Sequence, residues 1–313
     1  MIVKQSRESR YHRFSEHLRQ RFGCRVYKIA LDAGLSCPNR DGTVGEDGCL
    51  FCDPAGGSGR GDSRTPATIT EQMRIGREGL RKRYRAEKFI AYFQTFTNTY
   101  GPAAHLKALY DEAVACYDVV GLSIATRPDC LSGDALDLIQ TYTRDFYTWV
   151  ELGVQSMSDT TLKTIGRGHG AEATAWAVRE LKQRDIHVCA HLILGLPGED
   201  QADMTETVRT VSQLGVDAVK FHMLYVTRNS RLAHIHRQGA LRLMGRGDYI
   251  HTVIHLLGHL DPGILVQRLV SEAHRDILLA PEWLEDKSSV IREIEDTLES
   301  RGTRQGALFS PLS

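Results

Sequence analysis

The sequence predicts an α/β protein, a partial TIM-like (β/α)6 barrel with a small C-terminal extension, and three observations carry that expectation. Six short apolar runs alternate with helix-like segments in strict order, the pattern of βα units laid into a parallel sheet. No Pro/Ser-rich linker, low-complexity tract or repeat divides the 313 residues, so one large domain is favoured. Several runs also carry an apolar face and a polar one, as a barrel strand does when alternate residues point to helices and to the lumen. The expected organisation is a basic N-terminal segment (1–25), the barrel (26–235) and an extension packing on it (236–313).

Taken in order, the runs are VYKIALDA (26–33), KFIAYFQTF (88–96), DVVGLSIAT (118–126), TWVELGVQ (148–155), HVCAHLILG (187–195) and AVKFHMLYV (218–226). Between them lie TITEQMRIGREGLRKRYR, AAHLKALYDEAVACY, SGDALDLIQTYT, EATAWAVRELKQRD and QADMTETVRTVSQLG; several open with a Ser, Thr or Asp able to cap a helix. After about 235 the cues weaken. ILVQRL and the helix candidate SVIREIEDTLES are expected to pack against the barrel or shape its opening.

Strand parity points to the interior. In the fifth run Val188, Ala190, Leu192 and Leu194 oppose His187, Cys189 and His191; in the fourth, Val150, Leu152 and Val154 oppose Trp149, Glu151 and Gln155. Tyr92 and Gln94 oppose Ala91 and Phe93, and Lys220 and His222 oppose Val219, Phe221 and Met223. A barrel lumen is normally filled with branched apolar side chains. Glu151, Gln155, His191 and Lys220 together therefore imply a polar ligand inside, because unpaired buried charge is costly; strand ends near solvent are the alternative for any one of them.

Composition narrows the class. Lys plus Arg and Asp plus Glu are each 39, with 42% hydrophobic and 25% charged residues, which excludes a disordered chain, a generally basic nucleic-acid coat and an acidic tail protein. No apolar run approaches the roughly 18 residues of a membrane span, and the first residues lack the apolar stretch of a secretory signal. Seven cysteines, an odd number, suit a reducing compartment, so a cytoplasmic location is expected.

Three of those cysteines, Cys37, Cys49 and Cys52, share the stretch CPNRDGTVGEDGCLFCDPAGGSGRGD, whose Gly, Asp and Pro content marks a loop. Three thiols on one loop suggest a metal. Zinc in a closed structural site wants four ligands, usually in two CxxC-like pairs, and only one pair is present. Three thiolates can instead hold three irons of a [4Fe-4S] cube and leave the fourth iron open; spacing alone leaves iron-sulfur, zinc and coincidence standing. The loop follows the first strand of a βα series, at the barrel mouth where such folds carry chemistry. GGSGRGD (56–62) lacks the GxxxxGK[ST] pattern of a phosphate loop and reads as plain loop.

Six motifs in chain order carry a resemblance: SCPNRDGTVGEDGCLFC (36–52), AYFQTFTNTYGP (91–102), GLSIATRPDCL (121–131), VELGVQS (150–156) with IGRGH (165–169), HLILGLPGE (191–199) and KFHMLYVTRNSRL (220–232). In combination they resemble the radical S-adenosylmethionine (SAM) enzymes, in the branch of the elongator catalytic subunit and the oxygen-independent coproporphyrinogen oxidases, and more closely the YhcC-like family. Many of these enzymes space their cysteines CxxxCxxC, whereas eleven residues separate Cys37 from Cys49, as in the YhcC-like branch. Gln94-Thr95-Phe96-Thr97-Asn98 stands where relatives often have a Gly-Gly pair, and Ala125 where the elongator pattern has Glu.

The resemblance implies that Cys37, Cys49 and Cys52 hold a [4Fe-4S] cluster, that SAM is the second cofactor, and that an electron donor such as flavodoxin or ferredoxin is a partner. It implies Gln155 as a ribose contact and Arg167 as the partner of the SAM carboxylate, roles that an amide and a guanidinium fork suit. By position Gln94, Thr97 and Asn98 are expected near the SAM amine or carboxylate, and the backbone at 226–229 beside its adenine. Glu151, His191 and Lys220 are candidate substrate or SAM contacts; Cys189 is a less favoured candidate, and Cys24, Cys116 and Cys130 read as structural. Residues 4–28 carry eight Lys/Arg against two Glu, and residues 74–88 carry seven against two. Such stretches either track RNA phosphates or form solvated faces. The elongator branch ties the resemblance to tRNA wobble uridine modification; a small-molecule substrate and a non-catalytic iron-sulfur or zinc protein are the rivals.

Overall fold

A computed structural model of the chain describes residues 9–54 and 67–310; the GGSGRGD loop and, among the basic residues, Lys4 and Arg7 lie outside the described residues. The elements run α1 (Phe14–Phe22), β1 (Val26–Leu31), α2 (Ile69–Tyr84), β2 (Lys88–Phe93), α3 (Ala103–Val114), β3 (Val119–Thr126), α4 (Gly133–Tyr142) and β4 (Tyr147–Gln155). They continue with α5 (Asp159–Thr164), α6 (Ala171–Lys182), β5 (His187–Leu194), α7 (Gln201–Gln213), β6 (Ala218–Met223), β7 (Val226–Thr227), α8 (Arg231–Arg237) and α9 (Arg246–His259). The last are β8 (Leu265–Arg268), β9 (Leu278–Ala280) and α10 (Lys287–Ser300). Side chains of Thr68, Ser132, Ser158 and Asp200 accept backbone N–H bonds at the starts of α2, α4, α5 and α7, satisfying donors that no helix can satisfy internally.

The strands form one parallel sheet in the order β1-β2-β3-β4-β5-β6-β8, curled into a partial barrel. Its two edges meet inside: Lys28 Nζ on β1 donates to Gln267 Oε1 on β8 at 2.7 Å. The six expected strands are present, and a seventh comes from the C-terminal region, within ILVQRL. Val266 on this strand also receives the chain before α1, its N–H bonding the His12 carbonyl at 2.7 Å.

Parity divides the sheet as expected. Phe89, Ala91 and Phe93, Leu122 and Ile124, Val150, Leu152 and Val154, and their equivalents on β5 and β6 join the main core with Leu106, Tyr110, Ile139, Val178 and Val208 of the helices. The opposite parity builds the lumen in layers. At the N-terminal end of the strands, Ile90, Trp149, Cys189, Ala218 and Leu265 pack with Phe14 and Leu18 of α1, Phe14 meeting the Trp149 ring edge-on at 5.4 Å. Each such fully buried side chain stabilises the fold by roughly 1.5–3 kcal/mol, and α1 thereby closes the bottom of the barrel. The polar lumen residues lie above this floor.

Some of the basic residues have acidic or interior partners. Arg77 and Arg81 bind Asp118, Arg74 binds Glu71 and Glu78, and Arg13 binds Glu295. Lys28 points into the barrel.

Candidate active site

The loop after β1 brings Cys37, Cys49 and Cys52 to one cavity at the mouth. Backbone turns shape it: Arg40 N–H bonds the Cys37 carbonyl (2.8 Å), Gly48 N–H that of Asn39 (2.7 Å), and Cys52 N–H that of Cys49 (3.0 Å). The loop is fastened to the end of α5, where Leu50 N–H donates to the Ile165 carbonyl at 2.9 Å and Asn39 Nδ2 to the Gly166 carbonyl at 2.7 Å. Cys49 is buried, and its Sγ faces Asn39 Nδ2 at 3.4 Å and an Arg167 guanidinium nitrogen at 3.5 Å.

Next to the thiols, β4 ends in an irregular register between Gly153 and Gln155, with Gln155 at φ 69°, a conformation costly for a residue with a Cβ. Arg167 donates to the Gly153 carbonyl at 2.6 Å, and a Cβ on Gly153 would lie 2.7 Å from Gln155 Nε2 and 2.9 Å from Arg167 Nη2. Glycine is what lets the two side chains converge there. Arg127 forks onto Asp129 (2.9 and 2.7 Å) and donates to the Arg167 carbonyl at 2.8 Å. Arg167 Nε and Arg127 Nη1 are buried without a partner among the described residues. Behind the strand end, Ser156 Oγ donates to Glu199 of the LPGE turn.

Three thiols on one loop, flanked by guanidinium groups that offset thiolate charge, fit a cluster held through three cysteines. The orphaned donors of Arg167 and Arg127 fit a carboxylate brought alongside it.

The cavity, about 250 Å³, continues down the lumen to Glu151. This carboxylate is fully buried and takes bonds from Lys28 Nζ, Lys220 Nζ, Ser123 Oγ (2.6 Å) and His191 Nε2 (2.6 Å). Burial alone would raise its pKa, but Lys220, Lys28 and His191 hold it well below the usual range. Burial and the neighbouring Lys220 lower His191 to about 4, against the pull of Glu151. Burial lowers Lys220 to about 8, which leaves it mostly charged at neutral pH. His191 is thus a neutral imidazole whose Nε2 carries the proton donated to Glu151, leaving Nδ1 as its acceptor. Ligand-type atoms of Glu151, Cys189 and His191 lie within 4.8 Å of one another, but the ammonium groups on Glu151 occupy the places a cation would need.

The His191 shift has a sign that can be checked. Its folded pKa of about 4 lies below the free value of 6.5, so the unfolded chain binds more protons in that window, and stability present above it is lost as pH falls through it. The loss is about 3 kcal/mol. Urea unfolding between about pH 7 and about pH 4.5 is expected to show this decline, to which His222, His169 and His17, also lowered by burial, add in the same direction, and His191→Gln to make it shallower. An equally steep decline in the variant would remove His191 as the cause.

Of the residues expected at the site, Cys37, Cys49, Cys52, Gln94, Thr97, Gln155, Arg167, Glu151 and His191 line this one cavity. Lys220 lies beneath it, buried between Glu151 and the Tyr92 hydroxyl (3.3 Å). Asn98 is not brought to the cavity: it is fully buried, and its amide donates to the Phe93 and Ala125 carbonyls (3.2 and 3.0 Å), bracing the turn after β2. Cys189 sits in the apolar layer below Glu151, where burial pushes its thiol up to about 12. Sequence reasoning passed over Lys28, Ser123, Arg127 and Arg268, and it put His222 on the lumen parity without naming it a candidate. The alternation of Val26, Lys28 and Ala30 could have turned Lys28 inward; Arg268 lies on the strand with the weakest cues.

Residues 37–211 match the Radical SAM superfamily and residues 216–300 the Radical_SAM C-terminal domain. The chain is 38% identical to the uncharacterized protein YtqA of Bacillus subtilis, covering 97% of this chain and 94% of that one. It is 36% identical to protein YhcC of Escherichia coli, covering 95% of each. The chain belongs to the radical SAM superfamily and, within it, to the YhcC-like family. A solved structure of Methanocaldococcus infernus Elp3 shares its fold, with a TM-score of 0.65 and 20% identity over 90% of this chain and 64% of that one. A shorter stretch is 32% identical to the tRNA uridine(34) acetyltransferase of the same archaeon, over 43% of this chain and 25% of that one. Among the described residues no helix is long and apolar enough to cross a membrane.

Proposed function

We propose that the protein is a cytoplasmic radical SAM enzyme that starts radical chemistry on a tRNA wobble uridine, with a flavodoxin or ferredoxin as electron donor. The observation that carries the catalytic reading is the convergence of Cys37, Cys49 and Cys52 with Gln155 and Arg167 on one cavity. Cys37, Cys49 and Cys52 would hold a [4Fe-4S] cluster there, which would supply the electron for reductive cleavage of SAM. The chain's own part is positional. Arg167, held by the Gly153 carbonyl, aims its remaining donors at the SAM carboxylate, with Arg127 behind it; Gln155 offers its amide to the ribose; Gln94 and Thr97 form the wall beside the amino acid moiety. The α1 floor and the packed strands keep bulk water from the lumen.

For the substrate, the support is the stretch shared with the tRNA uridine(34) acetyltransferase. A small-molecule substrate is the second reading, favoured by three of the seven basic residues of 74–88, Arg74, Arg77 and Arg81, being bonded to Glu71, Glu78 and Asp118. Formation of 5'-deoxyadenosine by the anaerobically reconstituted, reduced protein, with and without tRNA lacking mature wobble modifications and with Cys37→Ala as blank, separates these. Product that rises sharply with tRNA supports the proposal. Product indifferent to tRNA moves the substrate to small molecules, and none above blank from an intact cluster sinks the catalytic reading.

The Gly153 contacts give a finer expectation. Gly153→Ala pushes against the flexible ends of Gln155 and Arg167, so the fold should lose less than about 1 kcal/mol. SAM binding should weaken about tenfold or more, the worth of a displaced hydrogen bond to a charged group. Equilibrium SAM binding alongside thermal melting checks both; unchanged affinity would remove Gln155 and Arg167 from SAM recognition.

A further inference from the structure

The lumen holds more positive charge than the network around Glu151 consumes. Lys28, Lys220 and Arg268 project from β1, β6 and β8 into the same interior, where Glu151 is the buried acid that Lys28 and Lys220 already share. Four arginines line the cavity. Arg40 is spent on the Asp53 and Pro54 carbonyls, Arg127 on Asp129, and Arg167 on the Gly153 carbonyl and Cys49. Arg268 pairs with Lys220 through its backbone, but its guanidinium has no hydrogen bond or ion pair among the described residues. Glu272 also lines the cavity; its ion pair is with Lys287 at 3.1 Å, and the charge of Arg268 acts on it only from beyond ion-pair distance. His222, stacked on His191 with ring centroids 5.4 Å apart, has a buried Nε2 without a partner among the described residues. Burial, then the charge of Arg268, hold its imidazole neutral. Gln267 Nε2, one residue from Arg268, is likewise buried and unsatisfied.

An unpaired guanidinium in a cavity of low polarisability, next to unused neutral donors, is an arrangement that an oxyanion completes. We propose that this depth of the cavity is an anion subsite, in which Arg268, with His222 beside it, receives a carboxylate or phosphate group carried by the substrate. The proposal rests on the cavity being the substrate chamber of the radical SAM enzyme. It narrows the substrate to molecules bearing an acidic group that reaches the barrel interior, and excludes neutral and cationic ones. In a nucleic acid substrate the group is an acidic substituent of the base, because the backbone cannot follow into a lumen closed below by α1.

The test uses the full chain with its cluster reconstituted and three salts, sodium acetate, sodium phosphate and sodium chloride, at matched ionic strength. Acetate or phosphate at several times its dissociation constant is expected to raise the melting midpoint of the wild type by about 2 °C over chloride. Arg268→Gln should abolish that difference; Arg268→Lys, which keeps the charge and loses the fork, should retain about half or less. A response to acetate alone marks a carboxylate, and one to phosphate as well marks a site for either oxyanion. No shift in the wild type, or the same shift in Arg268→Gln, overturns the proposal, and the melting of each variant in chloride shows whether it has folded. Reductive SAM cleavage is read separately on the wild type, so its failure overturns the catalytic reading while the anion response stands on its own.

Discussion

Replacing Glu151 by Gln is expected to cost about 3–5 kcal/mol, because it strips the shared counter-charge from Lys28 and Lys220 while leaving both ammonium groups inside the barrel. The magnitude follows from asymmetry. A buried ion pair adds little over a well-packed apolar pair, but removing one partner alone leaves uncompensated charge in a medium that solvates it poorly. Here one carboxylate serves both lysines, together with Ser123 and His191. The melting midpoint should fall by about 10 °C. Adding Lys220→Met should recover a good part of the loss, since the double variant no longer buries the second cation. A rescue of that kind separates electrostatics from packing: a Glu151→Gln protein that melts within a degree or two of wild type, or a double variant no better than the single, would refute the account.

Cys37→Ala, Cys49→Ala and Cys52→Ala should each lose most of the iron retained after anaerobic reconstitution, together with its visible absorbance and 5'-deoxyadenosine formation. Cys24→Ala, outside the cavity and packed at the margin of the lower apolar layer, should keep all three. The expected contrast comes from position: the three cavity thiols are held on one loop that Leu50 and Asn39 tie to the end of α5. A cube bound by two thiolates lacks the ligand count for stable retention. Iron content decides the matter without reference to turnover. Full iron retention in any one of the three variants would remove that cysteine from the ligand set, and melting of the metal-free proteins shows whether folding has been disturbed.

Much of this site was legible because barrel strands write their orientation in single-residue alternation. Glu151, His191 and Lys220 fell on the lumen parity of runs otherwise rich in Val, Leu and Ala, and they converge in the structure. The cysteine spacing marked a loop and suggested a metal, leaving iron-sulfur and zinc open, and it gave no geometry. What escaped has physical reasons. Lys28 sat in a run of basic residues whose collective charge suggested a surface, while its strand places its ammonium on Glu151. Asn98 was read from its place after β2, but an amide that satisfies the Phe93 and Ala125 carbonyls is committed to the turn. Arg268 stands on a four-residue strand, LVQR, too short for periodicity and separated from β6 by two helices and a short strand. Its strand-mates across the lumen are fixed only once the sheet has curled.

The bond from Lys28 to Gln267 spans 239 positions of sequence, and it sets a timetable. Synthesis delivers Lys28 first, Glu151 much later, Lys220 after that, and the strand carrying Gln267 and Arg268 near the end. Until then the growing chain holds an interior cation whose counter-charge or amide partner has not been made, and a sheet whose first edge has nothing to face. A chain that stops short of β8 has an open seam, with Lys28 lacking the Gln267 amide. The chamber is therefore complete only once β8 has been made.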